Sequence, residues 1–419
     1  MSCPRSNLHS LCTRTVVPIF LAAGFLLAPQ AASPAAGAST SSDPVFTALL
    51  IDGRTLAGRI LSLGPKAIRI QSADGTSHEL PRDRLVKLSR ETSLPLPLPD
   101  FAHVILPDGD RIMRVAIGST TDTDLELKSD VLGNLPIPLD ALLGVVMSTP
   151  ALVDTLDAWW DRVLVEPRST EVVWLANGDR LAGGFLGLDD KRLKIQVEGK
   201  PAEVERGGIV AIGFDPALVN YPRPESGFIE VTLRDGTRLG VQDARLQDNL
   251  VVARTRFGRT IRFPLGELSR IHARSSAVVY LTERKPITTK YIPYVGPIRE
   301  YRSDRSVRGR VFRLAGQSFD RGIGTQSRTF LAYEIEPGDR RFQASIGVDE
   351  EAGPLGSVVF RVFTDSNERY KSPPLTETDS PQAVDIDLAG AKRLILITEY
   401  GDRGDVRDLA DWVEARIIR

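Results

Sequence analysis

The chain has 419 residues, with 53 Lys and Arg against 54 Asp and Glu, for a formal charge of −1. That length exceeds one compact core and calls for several domains. The near-neutral balance excludes bulk nucleic-acid binding of the kind a strongly basic surface supports.

Residues 1–38 have the layout of an export signal: Arg5 and Arg14 lead, Val16 to Leu27 form an apolar run, and Ala36-Gly37-Ala38 supplies small residues for cleavage. An uncleaved anchor is the other reading, though the run is short for a membrane span. Both cysteines, Cys3 and Cys12, fall in this segment. An exported chain without them cannot rest on disulfides, thiol catalysis or Cys-ligated zinc. The expected location is periplasm, cell envelope or extracellular space. No later stretch is long and apolar enough to span a membrane. His78, His103 and His272 lie far apart, so no compact histidine metal cluster is visible.

Four stretches then share a beginning and an end. Each begins with an apolar run and a turn, at Asp52-Gly53, Asp108-Gly109, Asn177-Gly178 and Asp235-Gly236. Such dipeptides favour hairpins whose tight primed turn needs positive φ at its centre. Each ends in apolar pairs three residues apart: Leu85 and Leu88, Leu142 and Val145, Ile209 and Ile212, Leu268 and Ile271. From turn glycine to the first of each pair the distances are 32, 33, 31 and 32 residues, which identifies four tandem copies. Second turns fall at Asp74-Gly75, Gly133-Asn134, Glu198-Gly199 and Phe257-Gly258, and segments such as Leu193 to Val197 alternate. Each copy is expected to hold about five short strands, a small β-barrel of SH3-like or Sm-like appearance, at 44–92, 100–149, 170–216 and 226–275. The recurring Asp-Gly-x-Arg is either a repeated contact point or a turn with a solvated arginine. The barrels are read as spacers or protein-contact units.

Between the second and third copies, 150–167 places Leu152, Val153, Leu156, Trp159, Trp160 and Val163 at near-helical spacing, predicting a short amphipathic helix packed on its neighbours. Leu94 to Pro99, with three prolines, predicts an extended linker.

The pattern changes at 277–419. Seven of the eight tyrosines fall there, and alternating runs such as Ser357 to Phe363 are punctuated by frequent turns, as in an antiparallel sandwich. Within it stand, in order, Asp304-Arg305-Ser306-Val307, Leu314-Ala315-Gly316, Phe319 to Thr325, Ile346-Gly347-Val348-Asp349, Gly356 to Phe360 and Asp408-Leu409-Ala410-Asp411-Trp412. Together these resemble the NPCBM family of carbohydrate-binding modules. The resemblance implies a galactose-binding-like β-sandwich jelly roll with a sugar site on its loops. Where the family has histidine after Gly-Ile-Gly-Thr and inside Asp-His-Ala-Asp-Trp, this chain has Gln326 and Leu409.

On that resemblance the candidate sugar contacts are Thr325, Gln326, Asp408, Asp411, Trp412 and Arg305. Trp412 either stacks on a sugar ring or belongs to the core. Asp349 and Glu350 either ligate calcium, the one cofactor suggested, or form a solvated loop. Arg299, Arg302, Arg305, Arg308, Arg310 and Arg313 either converge to meet an acidic polysaccharide or scatter along the chain.

The expected architecture is therefore all-β: tandem small barrels, one helical insert and a jelly roll. The expected function is an exported, non-catalytic glycan-binding protein, with a structural or assembly protein as the alternative. No paired carboxylates mark a glycoside hydrolase.

Overall fold

The computed structural model describes residues 44–90, 101–147, 153–224, 227–294 and 300–419, with side chains of 153–157 excepted. The export signal, the proline linker and Arg299 lie outside these residues. The described chain is all-β apart from the helix Val153–Val165 and short 3-10 turns. No helix among the described residues is long and apolar enough to cross a membrane.

Each of the four copies contributes five strands. In the first they are Val45–Leu50, Thr55–Leu63, Ala67–Gln71, Ser77–Pro81 and Leu85–Ser89. Strands one to four form successive antiparallel hairpins, and strand five returns to pair with strand one. The same order recurs in copies two, three and four. No ladder joins the fourth strand to the fifth, so each copy is a bent, open five-stranded sheet rather than a closed ring.

The turns differ in detail from the expected primed type. Gly53, Gly178 and Gly236 sit at φ of 83°, 92° and 91°, but the Asp or Asn before each stays at negative φ. Its side chain instead accepts the backbone N–H two residues on, at 3.1, 3.0 and 2.8 Å for Asp52, Asn177 and Asp235. Copy two is the exception: Asp108 and Gly109 both adopt positive φ.

The copies pair through their fifth strands. Leu85–Ser89 runs antiparallel to Leu268–Arg274 of copy four, with Leu88 opposite Ile271. Gly144–Val146 of copy two runs antiparallel to Ile209–Gly213 of copy three, with Val145 opposite Ile212. Since these four residues hold the same repeat position, each pairing has a local twofold, a self-complementary contact. Two ten-stranded sheets result, and a single register position, Arg238 opposite Arg111, connects them. Buried residues of all four copies merge into one apolar core. The helix seals the joint of copies two and three by burying Trp160 and Val163 against Val146, Val172, Trp174 and Ala211. The Arg168 guanidinium ties its end by donating to the carbonyls of Val163 and Phe214, both at 2.6 Å.

Residues from Val278 onward form an antiparallel sandwich. One sheet orders Arg302–Ser303, Gly322–Gln326, Leu409–Ile418, Arg341–Val348 and Gln382–Asp387, with Val278–Tyr280 also on Leu409–Ile418. The other orders Thr288–Tyr291, Thr329–Glu334, Arg393–Tyr400, Val358–Thr364 and Asn367–Lys371. A separate core fills the space between them. The Gly-Ile-Gly-Thr phrase has a steric reason: a Cβ on Gly324 would stand 2.4 Å from the Arg305 carbonyl oxygen, so glycine lets the 305–307 backbone cross the strand.

Copies two and four meet the sandwich through buried charge. Arg321 donates to both oxygens of Glu230 at 2.8 and 2.7 Å, and Arg274 reaches the same carboxylate at 2.9 Å. Arg111 donates to Asp320 at 2.5 Å. Arg238 lies 3.6 Å from Glu230 and 3.9 Å from Asp110. Burial alone would raise the Glu230 pKa, but Arg321, Arg274 and Arg238 hold it far below the ordinary carboxylate range. Asp110, which accepts from the Tyr221 hydroxyl at 2.6 Å, is held up by burial and by the Glu230 charge. The solvated-arginine reading of the turn motif is thus corrected in copies two and four, where Arg111 and Arg238 are buried. It applies to Arg180 of copy three, half-exposed beside Glu166 at 3.2 Å.

The same repeat position therefore carries unequal energy. Arg238→Met, which leaves buried carboxylates short of a partner, is expected to cost about 3–5 kcal/mol. Arg180→Met is expected to stay within about 1 kcal/mol. Urea unfolding of the two variants checks the contrast.

Candidate functional site at one end of the sandwich

The strand Gly322–Gln326 pairs along Leu409–Ile418, placing Thr325 opposite Ala410, Gln326 opposite Leu409 and Ile323 opposite Trp412. The two phrases of the sequence motif are therefore adjacent in space. Most of their side chains point inward.

Trp412 is fully buried. Its ring meets Phe360 edge-on with centroids 5.0 Å apart, and its Nε1 donates to Thr398 Oγ1 at 3.1 Å. The stacking reading is corrected: an indole with both faces in the core cannot receive a sugar. Thr325 is also buried, its hydroxyl 2.8 Å from that of Thr398 and 3.1 Å from the Ala410 carbonyl. Asp411 is buried, and burial first, then the Asp349 charge, holds its carboxyl well above the ordinary range. These three residues build the sandwich interior and present nothing to a ligand.

The calcium reading is corrected as well. Asp349 is buried and accepts the Glu351 N–H at 2.9 Å, whereas Glu350 is exposed and accepts the Gly316 N–H at 2.5 Å. Both serve as backbone acceptors, Asp349 also lying 3.5 Å from the Arg313 N–H of the same hairpin that Glu350 meets. Among the described residues no group of three or more His, Cys, Asp or Glu gathers in a metal-holding arrangement.

Arg305 turns away from the motif. Its guanidinium lies 5.2 Å from the Trp160 ring centroid on the helix. Arg302 reaches the next helix residue, Asp161, whereas Arg310 pairs with Glu351. Among the described residues these arginines form no single face.

Asp408 and Gln326 remain at the sandwich end. Asp408 accepts from the Ser327 hydroxyl at 2.5 Å and the Ser357 N–H at 3.0 Å, joining two loops. Burial pushes its pKa up to about 6, against the opposing effect of those bonds. Gln326 is half-buried, and its side-chain oxygen accepts no hydrogen bond from the protein.

Beside this corner lies a polar and aromatic surface that sequence reasoning did not single out. Tyr294 is 73% exposed. Its ring stands 6.0 Å from that of Tyr400, and its N–H donates to Asp405 at 3.2 Å. The Tyr400 hydroxyl donates to the Ile292 carbonyl at 3.0 Å, and Ile292 N–H donates to the Arg328 carbonyl at 3.0 Å. Arg328 pairs with Glu399 at 2.9 Å. Aromatic faces flanked by fixed donors and acceptors are what a pyranose needs: C–H bonds for the ring, hydroxyls for the polar groups. The crowding of tyrosines at 277–419 was the available signal.

The segment that carries this corner is similar to the NPCBM/NEW2 domain, whose family model matches residues 277–418. The curated relatives include a provisionally named endo-alpha-N-acetylgalactosaminidase from Renibacterium salmoninarum, 26% identical over 110 residues. Another is alpha-1,3-galactosidase B from Akkermansia muciniphila, 29% identical over 119 residues. The alignments cover 26% and 27% of this chain, but 7% and 15% of those proteins. Among solved structures, the CBM51 of Clostridium perfringens GH95 in complex with methyl-galactose is 26% identical. It matches over 33% of this chain and 99% of that one, with a TM-score of 0.31. The CBM51-2 and INT domains of Clostridium perfringens ZmpB, in complex with GlcNAc, are 20% identical over 43% of this chain and 40% of that one, with a TM-score of 0.32.

Asp408 yields a pH prediction. Its folded pKa of about 6 exceeds the ordinary 3.8, so between those values the native state binds more protons than the unfolded chain. Its contribution is full below that window and lost as pH rises through it. Asp408→Asn should remove a pH-dependent loss on the order of 1–3 kcal/mol, read as the wild-type-minus-variant difference in urea stability between about pH 4 and about pH 7. Trp412→Ala should destabilise by about 3–5 kcal/mol, measured the same way.

Proposed function

We propose that the chain is an exported, non-catalytic glycan-binding protein whose sandwich end, around Tyr294, Tyr400, Gln326 and Arg328, receives a saccharide. One observation carries the reading: a largely exposed tyrosine held against a second ring, bordered by Asp405 and the Arg328–Glu399 pair. The NPCBM/NEW2 match supports it. The two curated relatives are named for galactosaminide and galactoside substrates, so galacto-configured sugars are the first ligands to try. Export is supported by the leader-like layout of residues 1–38. The repeats serve as a frame that holds the module.

A structural or assembly role is the second reading. It is favoured by the inward orientation of Thr325, Asp411 and Trp412, which removes half of the expected sugar contacts.

Calorimetric titration of the full chain with galactose, N-acetylgalactosamine and oligosaccharides ending in them separates the two. Saturable binding is expected, weakened about tenfold or more by Tyr294→Ala, since loss of one stacking face removes over 1 kcal/mol. Circular dichroism should show that variant folded. No binding across a broad glycan array would end the saccharide reading in favour of assembly.

A further inference from the structure

A cavity lies away from the Tyr294 corner, where copies two and four, the helix and the sandwich meet. Its volume is about 320 Å³, within the range of small-ligand pockets. Six arginines line it, against the four carboxylates of Asp108, Glu283, Asp304 and Asp320. Its floor is Arg111, Arg238, Arg274 and Arg321, all at least nine-tenths buried.

Each lining carboxylate is already engaged. Asp320 is held by Arg111 at 2.5 Å and Arg270 at 3.4 Å. Glu283 is held by Arg223 at 2.7 Å and by Arg274. Asp304 accepts the Gly322 N–H at 3.2 Å and lies 3.6 Å from Arg321. Asp108 is held by Arg256 at 2.7 Å.

Glu230, outside the lining, pairs with Arg321, Arg274 and Arg238, yet it does not take up every guanidinium N–H. Arg274 Nη1, Arg238 Nε and Arg321 Nε are buried and donate no hydrogen bond to a protein acceptor. A buried cationic donor without an acceptor is costly, and an anion that reaches several such groups removes that cost. The cavity wall leaves room for the Arg238 guanidinium, whose Nη2 donates to the Asp108 carbonyl at 2.8 Å. Gly109 sits at φ 76°, and a Cβ there would stand 1.9 Å from Arg238 Nη2. The mouth is formed by half-exposed groups, Arg223 and the apolar Leu164 of the helix.

We propose that this cavity is a binding site for a small oxyanion of the sulfate or phosphate type, free or as an ester on a saccharide. Guanidinium forks match such oxygens, and the buried floor limits competition from water. The site draws on residues of both the repeats and the sandwich, so it exists only in the assembled chain.

The test titrates the full chain with sodium sulfate against sodium chloride at matched ionic strength, following the thermal midpoint and calorimetric heat. Sulfate should raise the midpoint saturably and chloride should not. Arg223→Ala is expected to weaken sulfate binding about tenfold, as loss of one charge-assisted donor. Leu164→Glu, which places an anion at the mouth on an exposed helix position, should abolish the saturable response. Tighter binding of a sulfated disaccharide than of inorganic sulfate marks a glycan ester as the source, and equal binding marks the free ion. A sulfate effect no larger than chloride's, or one that both variants leave unchanged, overturns the proposal. Galactoside titration on the same samples reads the separate Tyr294 corner.

Discussion

The contact on which the assembly depends is the Arg321–Glu230 pair, where the sandwich meets the fourth repeat inside the protein. In a low-dielectric interior such a pair is tolerable only when its remaining partners are also in place. Arg274 and Arg238 supply them on one side and Arg111 with Asp320 on the other. The cluster therefore acts as a geometric condition: repeats two and four, and the loop before Gly322, must all arrive in register. Exposed pairs such as Arg192–Glu203 in copy three impose no such demand.

That condition explains how one short strand serves two ends of the module. Asp320 and Arg321, at the start of Gly322–Gln326, are engaged by the repeats. Gln326 and Arg328, at its other end, border the tyrosine corner. Five residues of extended chain separate the two by roughly 16 Å. Every partner of Tyr294 named above belongs to the sandwich, so anchoring and recognition use different residues of the same strand.

Much of the fold was legible from local chemistry. The four turn glycines, the apolar pairs and the amphipathic helix are short-range signals, and strands appear where those signals stand. Ring closure was not legible, because it depends on whether a fourth strand finds the fifth. Nor was the fate of each turn arginine: Arg180 and Arg238 occupy one repeat position, and only the packing of copy four against the sandwich buries the latter. In the candidate site, the motif phrases located the right strands but not the exposed side chains. Trp412 and Asp411 are distinctive in sequence because the interior needs their shape and hydrogen bonds. Tyr294 lies outside every motif phrase, and a surface aromatic leaves only a compositional trace.

The pairing of fifth strands sets the order in which the chain can be completed. Copies two and three are neighbours along the polypeptide and can join once both are made. Copy one must hold its Leu85–Ser89 edge open until Leu268–Arg274, about 180 residues later, has emerged. An unpaired edge is a template for wrong partners, and distant contacts are slow to close. The nested arrangement thus makes the first repeat the last to be satisfied, and leaves a nascent chain most exposed to aggregation or to edge-capping chaperones during synthesis of its middle.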